Sequence, residues 1–238
     1  MSSEGRGTLY LLPNTLGNAP PEATISPAAL HRARTLDYII AEDPKTARAF
    51  LKRIAPQLPL QAIRVERLDH NTRESEIPRL LDPLLAGTDA GLLSEAGLPA
   101  VADPGSNLVR LAHHRGLRVV PLSGPSSLLL ALAASGLDGQ RFAFHGYLPA
   151  KPGPLAATLR TLERQSLRDR QSQIFIETPY RNDRILATLL EVLRPGTLLC
   201  LASDLTLATE TVHTRKISEW RGQPPQLKGR PTVFLFLA

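Results

Sequence analysis

The chain has 238 residues, 42% of them hydrophobic and 21% charged, which is enough for one large domain or two small ones. Cys200 is the only cysteine, which excludes an intrachain disulfide framework and a thiolate metal cluster. The longest apolar run, residues 128–134, is far short of the roughly 20 residues that cross a bilayer, and the N-terminus has no apolar signal segment. We therefore expect a cytoplasmic protein without membrane contact, and its net charge of +6 favours a nucleic acid partner.

Short strands alternate with helices in the first half of the chain. Strands are predicted at 8–12, 36–41, 91–93 and 118–122. Ser26, Asp43 and Ser106 are placed to cap helices, and a further helix is expected within 74–85. This alternation is typical of a parallel sheet covered on both faces.

Strands follow one another more closely in the second half. They are predicted at 141–147, 173–177, 197–202, 210–215 and 232–237, with helices at 126–135, 155–165 and 183–193. This pattern favours a mixed sheet over a second parallel repeat. The sequence thus predicts two α/β domains, 1–121 and 122–238.

Turn residues are concentrated in loops that follow predicted strands. Gly97, Gly105 and Gly124, with Ser126 and Ser127, offer backbone hydrogen-bonding groups without bulky side chains. Loops after the carboxyl ends of parallel strands are where an open α/β sheet binds its ligand. Such a surface suits a ligand with an adenine edge, a ribose and a zwitterionic tail, but tight turns alone would give the same residues.

Candidate acid–base and metal-binding groups are few. Glu42 and Asp43 end a predicted strand, and the favoured interpretation is that Asp43 caps the next helix rather than that the pair performs acid–base chemistry. His70 has no histidine at ligand spacing, and neither G-x-G-x-x-G nor a P-loop follows the first strand. We therefore predict no metal site and no metal requirement.

Several motifs resemble a known family. The runs S-E-A-G-L-P-A-V-A-D-P-G (94–105), S-G-P-S-S (123–127) and A-S-G-L (134–137) resemble the tetrapyrrole methylase superfamily of S-adenosylmethionine-dependent methyltransferases. Within it, the sequence is most similar to the ribosomal RNA small subunit methyltransferase I group, which methylates a ribose 2′-hydroxyl of 16S rRNA. Further similar segments are A-E-D-P-K-T-A-R (41–48), F-H-G-Y-L-P-A-K (144–151) and E-T-P-Y-R (177–181).

The resemblance implies two α/β domains of the tetrapyrrole methylase type, with S-adenosylmethionine bound in the cleft between them, and a homodimer. Carried over residue by residue, the cofactor contacts fall on Leu16, Ala96, Gly97, Leu98, Val101, Ser126, Ser127 and Thr178. Asp103 lies in the matching D-P-G turn and either contacts the cofactor or forms the turn, the second role being favoured.

The resemblance also implies an RNA substrate, which is ribosomal RNA in that group. Lys151 and Arg181 are the expected phosphate contacts, and Glu177 and His145 are candidates for a base that assists the hydroxyl. The segment S-D-L-T-L (203–207) replaces an R-E-L-T-K type segment, so Ser203 and Leu207 should weaken RNA contact or change its target. The longer C-terminal extension common in that group is also not part of this sequence. The alternatives are methylation of a tetrapyrrole or other small acceptor, and a non-catalytic RNA-binding module.

Overall fold

The computed structural model describes residues 5–238, which form two compact units. The first ends at Ser126 and the second begins at Ser127. The predicted boundary after residue 121 lies slightly earlier, because the loop 122–126 packs on the first unit. There the Ser26 N–H donates to the Ser123 carbonyl at 3.4 Å.

The first unit contains a five-stranded parallel sheet. Its strands are β1 Thr8–Leu12, β2 Tyr38–Ala41, β3 Arg64–Arg67, β4 Ala90–Leu93 and β5 Arg118–Pro121, in the order β3-β2-β4-β1-β5. Every neighbouring pair is parallel, as predicted. Only β3 was missed, because Arg64-Val65-Glu66-Arg67 is a polar edge strand without an apolar run.

Helices cover both faces of this sheet. They are α1 Pro21–Thr24, α2 Pro27–Thr35, α3 Pro44–Ile54, a 3₁₀ helix Glu74–Leu81, α4 Asp82–Leu85 and α5 Gly105–His114. Neighbouring strand residues point to opposite faces. Ile39 accordingly packs in one buried cluster with residues of α2 and α3, whereas Ile40 packs in another with residues of the 3₁₀ helix, α4 and α5.

The second unit contains a mixed sheet, which confirms the prediction. Its strands are β6 Phe142–Tyr147, β7 Ser172–Ile176, β8 Leu198–Ser203, β9 Thr211–Lys216 and β10 Thr232–Leu237, in the order β6-β7-β10-β8-β9. Only β6 and β7 are parallel. Its helices are α6 Ser127–Ser135, α7 Pro152–Asp169, a 3₁₀ helix Pro179–Arg181, α8 Asn182–Val192 and α9 Ile217–Trp220.

The helix caps test the local sequence predictions. Ser26 and Asp43 accept backbone N–H groups at the starts of α2 and α3, as predicted. The prediction for Ser106 was wrong, because α5 begins at Gly105 and Ser106 lies inside its first turn; the Gly105 N–H donates to Asp103. None of the helices in residues 5–238 is long and apolar enough to span a membrane.

Candidate functional site

Five loops meet at one edge of the first unit's sheet. Because all five strands are parallel, their carboxyl ends lie together. We call this region the carboxyl edge, and it consists of the loops 13–18, 42–43, 68–73, 94–104 and 122–126. It contains every predicted cofactor residue of the first unit.

Asn14 joins the loops after β1 and β4. Its backbone N–H donates to the Gly97 carbonyl at 2.8 Å, and its side-chain Nδ2 donates to the carbonyls of Ser94 at 2.9 Å and Glu95 at 3.0 Å. Its Oδ1 accepts the Thr15 N–H at 2.8 Å. This buried side chain therefore fixes the two loops together. Its role was not predictable from the sequence, since an asparagine after a strand is an ordinary turn residue.

Arg53 of α3 holds the first loop from the other side. Its Nη1 donates to the Thr15 hydroxyl at 3.2 Å and its Nη2 to the Ala19 carbonyl. The Thr15 hydroxyl donates in turn to the Gly17 carbonyl at 2.6 Å. The loop that carries Leu16 is thus anchored at both ends.

Gly97 lies where three loops converge. Its φ of +69° favours glycine, and an added Cβ would lie 3.3 Å from Leu16 Cδ2 and 3.4 Å from the Pro125 carbonyl oxygen. Two predicted cofactor residues, Leu16 and Gly97, therefore lie together, and the chain leading to Ser126 approaches them. This backbone surface has little room for side chains.

Asp103 organises the loop that precedes α5. Both of its carboxylate oxygens lie 2.9 Å from the Ala100 N–H, and Oδ1 also accepts the Gly105 N–H at 2.7 Å. Burial raises the pKa of Asp103, and these hydrogen bonds oppose the rise. Ala100 and Ala102 both adopt left-handed φ, at 65° and 63°, and Val101 between them is exposed. The carboxylate has the geometry of a turn former, and its contact with a cofactor stays a prediction.

The two carboxylates after β2 have different environments. Asp43 Oδ1 accepts the Lys45 N–H at 3.1 Å, which confirms its capping role. Glu42 makes no hydrogen bond or ion pair within residues 5–238. Burial raises the pKa of Glu42 first, and the nearby carboxylates of Glu95 and Asp103 raise it further.

In the second unit, the predicted residues Glu177, Thr178 and Arg181 form one contact network after β7. Glu177 Oε1 accepts the Thr178 N–H at 2.7 Å and the Thr178 hydroxyl at 3.1 Å. Its Oε2 lies 3.1 Å from Arg181 Nη2 and is buried without a properly oriented hydrogen bond. The Glu177 side chain is only 1% exposed and the Arg181 side chain 23%.

A second ion pair lies close to this network. Arg230 Nε donates to Asp204 Oδ2 at 2.8 Å, and the Arg230 carbonyl accepts from Asn182 Nδ2 at 2.7 Å. Asn182 directly follows Arg181. Ser203, at one of the departures from the similar group, is buried and bonded to the Thr232 hydroxyl at 2.9 Å.

The remaining predicted residues lie in different settings. His145 Nε2 lies 2.6 Å from Gln173 Oε1, to which it donates, because an amide oxygen can only accept. Lys151 is exposed at the start of α7, and Ser127 begins α6 directly after Ser126. In the described part of the chain, no three His, Cys, Asp or Glu side chains are grouped so as to hold a metal ion.

The two-unit α/β fold is similar to that of a solved structure. The crystal structure of the methyltransferase CobJ superposes with a TM-score of 0.64 at 19% identity, covering 97% of this chain and 94% of CobJ. A model of the tetrapyrrole (corrin/porphyrin) methylases matches residues 20–220. The chain therefore belongs to the tetrapyrrole methylase family and is a methyltransferase, which confirms the resemblance seen in its sequence.

Within the family, the chain is similar to proteins that share one name. Proteins named ribosomal RNA small subunit methyltransferase I share 35% identity with this chain in Xylella fastidiosa and 34% in Pseudomonas aeruginosa and Escherichia coli. The matches span 87%, 90% and 92% of this chain, and 71%, 71% and 72% of the respective relatives.

Proposed function

We propose that this protein transfers a methyl group from S-adenosylmethionine to a ribose 2′-hydroxyl of ribosomal RNA. The observation that carries the proposal is the match over about nine tenths of the chain to relatives named for ribosomal RNA methylation. The net charge of +6 agrees with a polyanionic substrate.

The carboxyl edge fits the proposed methyl donor. Gly97 lies against Leu16 and the Pro125 carbonyl with little room for a side chain, and Leu98 and Val101 of the same loop carry further apolar side chains. Exposed backbone groups with apolar walls suit a nucleoside ligand, since hydrogen bonds to main chain fix its orientation. We assign cofactor binding to this surface, with Ala96, Asp103 and Ser126 as the other predicted contacts of the first unit. When bound, S-adenosylmethionine supplies an electrophilic methyl group on a sulfonium.

The protein's own contribution is alignment and charge. Methyl transfer is an in-line displacement, so a rigid site that holds the acceptor oxygen in line gains most of its rate from orientation. Asn14 and Arg53 provide that rigidity in the first unit. Lys151 and Arg181 are proposed to hold RNA phosphates, and the buried carboxylate of Glu177 orients Arg181.

Gly97→Val tests the cofactor surface. We expect binding of S-adenosylhomocysteine to be lost, because a β-branched side chain is strained at positive φ and crowds Leu16 and the Pro125 carbonyl, which lie at the proposed cofactor surface. Calorimetry measures the affinity. Gly229→Val is the matched control, since Gly229 also has a positive φ, of +82°, and an added Cβ there meets nothing within 4 Å. Wild-type affinity in Gly97→Val would place the cofactor elsewhere.

The acceptor is tested by labelled methyl transfer to ribosomal particles and bulk RNA from a strain that lacks the gene. We expect label on a ribose oxygen, identified by nucleoside mapping. Label on a base, or on a small molecule alone, would reject the proposed acceptor and favour the small-acceptor alternative.

A further inference from the structure

Glu42 stands out among the carboxylates of the carboxyl edge. The register pairs Ala41 with Leu93 on β4 and with Arg67 on β3. Glu42 therefore lies level with Ser94 and Leu68, where the neighbouring loops leave the sheet. Glu42 thus lies at the carboxyl edge, as Gly97 does. Both residues belong to the first unit, so their proximity follows from the register of that unit's sheet alone.

The other carboxylates of this edge are already engaged by the protein. Their partners are the Lys45 N–H for Asp43, the Thr46 hydroxyl for Glu95 at 2.5 Å, the Asn71 N–H for Asp69 at 2.9 Å, and the N–H groups of Ala100 and Gly105 for Asp103. Glu42 has no such partner within residues 5–238 and is half-buried. It is partly shielded from water and still accessible to a ligand.

We propose that Glu42 is a catalytic residue, the base that accepts the proton of the acceptor hydroxyl during methyl transfer. The inference rests on the proposed function. The acceptor oxygen bonds to the methyl carbon, the sulfonium sulfur keeps the electron pair of the broken bond, and the hydroxyl proton passes to the Glu42 carboxylate. Water then removes that proton and restores the carboxylate.

The surroundings of Glu42 make it a better base than an exposed glutamate. Its pKa is raised by burial, then by the carboxylates of Glu95, Asp103 and Asp69, while His70 acts in the opposite direction. A base is most effective when its pKa approaches the working pH. Glu177, by contrast, has its Oε1 bonded to Thr178 and its Oε2 against Arg181, with a side chain only 1% exposed.

The first test is single-turnover methyl transfer to RNA by Glu42→Gln. We expect the rate to fall by about 100-fold or more. Affinities for S-adenosylhomocysteine and for RNA should be unchanged, because the variant keeps size and polarity. Glu42→Asp should retain more activity than Glu42→Gln. Asp43→Asn is the matched control, since it removes one adjacent charge and asparagine still caps a helix.

The pH profile separates a base from a structural residue. The wild-type rate should decline as the pH falls through the raised pKa of Glu42, and Glu42→Gln should lack this decline. Wild-type rate in Glu42→Gln, or an unchanged acid limb, would overturn the inference while leaving the proposed function standing. A wild-type protein that methylates no RNA would reject both.

Stability gives a readout independent of activity. A carboxyl group with a raised folded-state pKa stabilises the fold below its unfolded pKa, and this contribution is lost as the pH rises through the folded pKa. Glu42→Gln should therefore have a higher melting temperature than wild type at neutral pH. This difference in melting temperature should disappear near pH 4, where an unfolded glutamate is about half protonated. Equal melting at neutral pH would contradict a desolvated Glu42 carboxylate and overturn the inference.

Discussion

At the scale of single residues, the carboxylates at the carboxyl edge differ in whether they accept a backbone N–H group. Asp43 and Asp103 both accept N–H groups at helix starts and are structural, whereas Glu42 meets no donor in the described part of the chain. The sequence predicted the cap at Asp43, because an aspartate before a proline and a basic helix is a local signal. The sequence could not show that Glu42 differs from an ordinary solvated carboxylate, because its raised pKa depends on burial and on residues some 50 positions away, such as Glu95.

Asp103→Ala should destabilise the protein by about 1–3 kcal/mol, because the N–H groups of Ala100 and Gly105 lose their acceptor. Urea denaturation measures the change. Burial raises the pKa of Asp103, so its contribution to stability is fully present below the unfolded pKa and decreases as the pH rises through the folded pKa. The difference in the free energy of unfolding between wild type and Asp103→Ala should therefore increase as the pH is lowered. Equal stability would show that this turn does not need the carboxylate.

At the scale of elements, the apolar strands were predictable and their order in the sheet was not. Strand β1 lies between β4 and β5, so Asn14 meets Gly97 although about 80 residues separate them. No local pattern encodes that neighbourhood. Glycines at loop positions gave a partial signal, because backbone that must pass close to other backbone tolerates no side chain. Gly97 and Gly124 were singled out because they offer backbone hydrogen-bonding groups without side chains, whereas their proximity to Leu16 and Pro13 is visible only in the fold.

Gly124→Ala should destabilise the first unit by about 1–3 kcal/mol, because the new Cβ would lie 2.1 Å from Pro13 Cβ and the loop must move. The shift should also weaken S-adenosylhomocysteine binding, since this loop leads to Ser126. Thermal melting and calorimetry measure the two effects. Gly139→Ala is the control, because its Cβ enters open space. If the two variants behave alike, the contact between the loops after β1 and β5 is unimportant.

At the scale of the whole molecule, the net charge overstates the number of cations available to RNA. Arg181 is paired with the buried Glu177 and Arg230 with Asp204. The sequence predicted the cation at residue 181 from its motif, but the carboxylate partner was visible only in the structure. A paired arginine can still bind phosphate, since a guanidinium has five N–H donors. Its pairing makes it a rigid contact rather than a mobile one.

Arg181→Ala should therefore weaken RNA binding and lower the slope of log affinity against log salt by about one, the loss of a single phosphate contact. The single variant leaves the buried Glu177 carboxylate without its cation, which costs stability, so the Glu177→Gln/Arg181→Ala double variant is measured beside it. Arg184→Ala removes the same charge from an exposed position on α8. We expect affinity for S-adenosylhomocysteine to be unchanged in all three. If the Arg181 and Arg184 variants reduce the salt slope equally, Arg181 contributes only general positive charge. If neither variant changes the slope, RNA binds away from this loop.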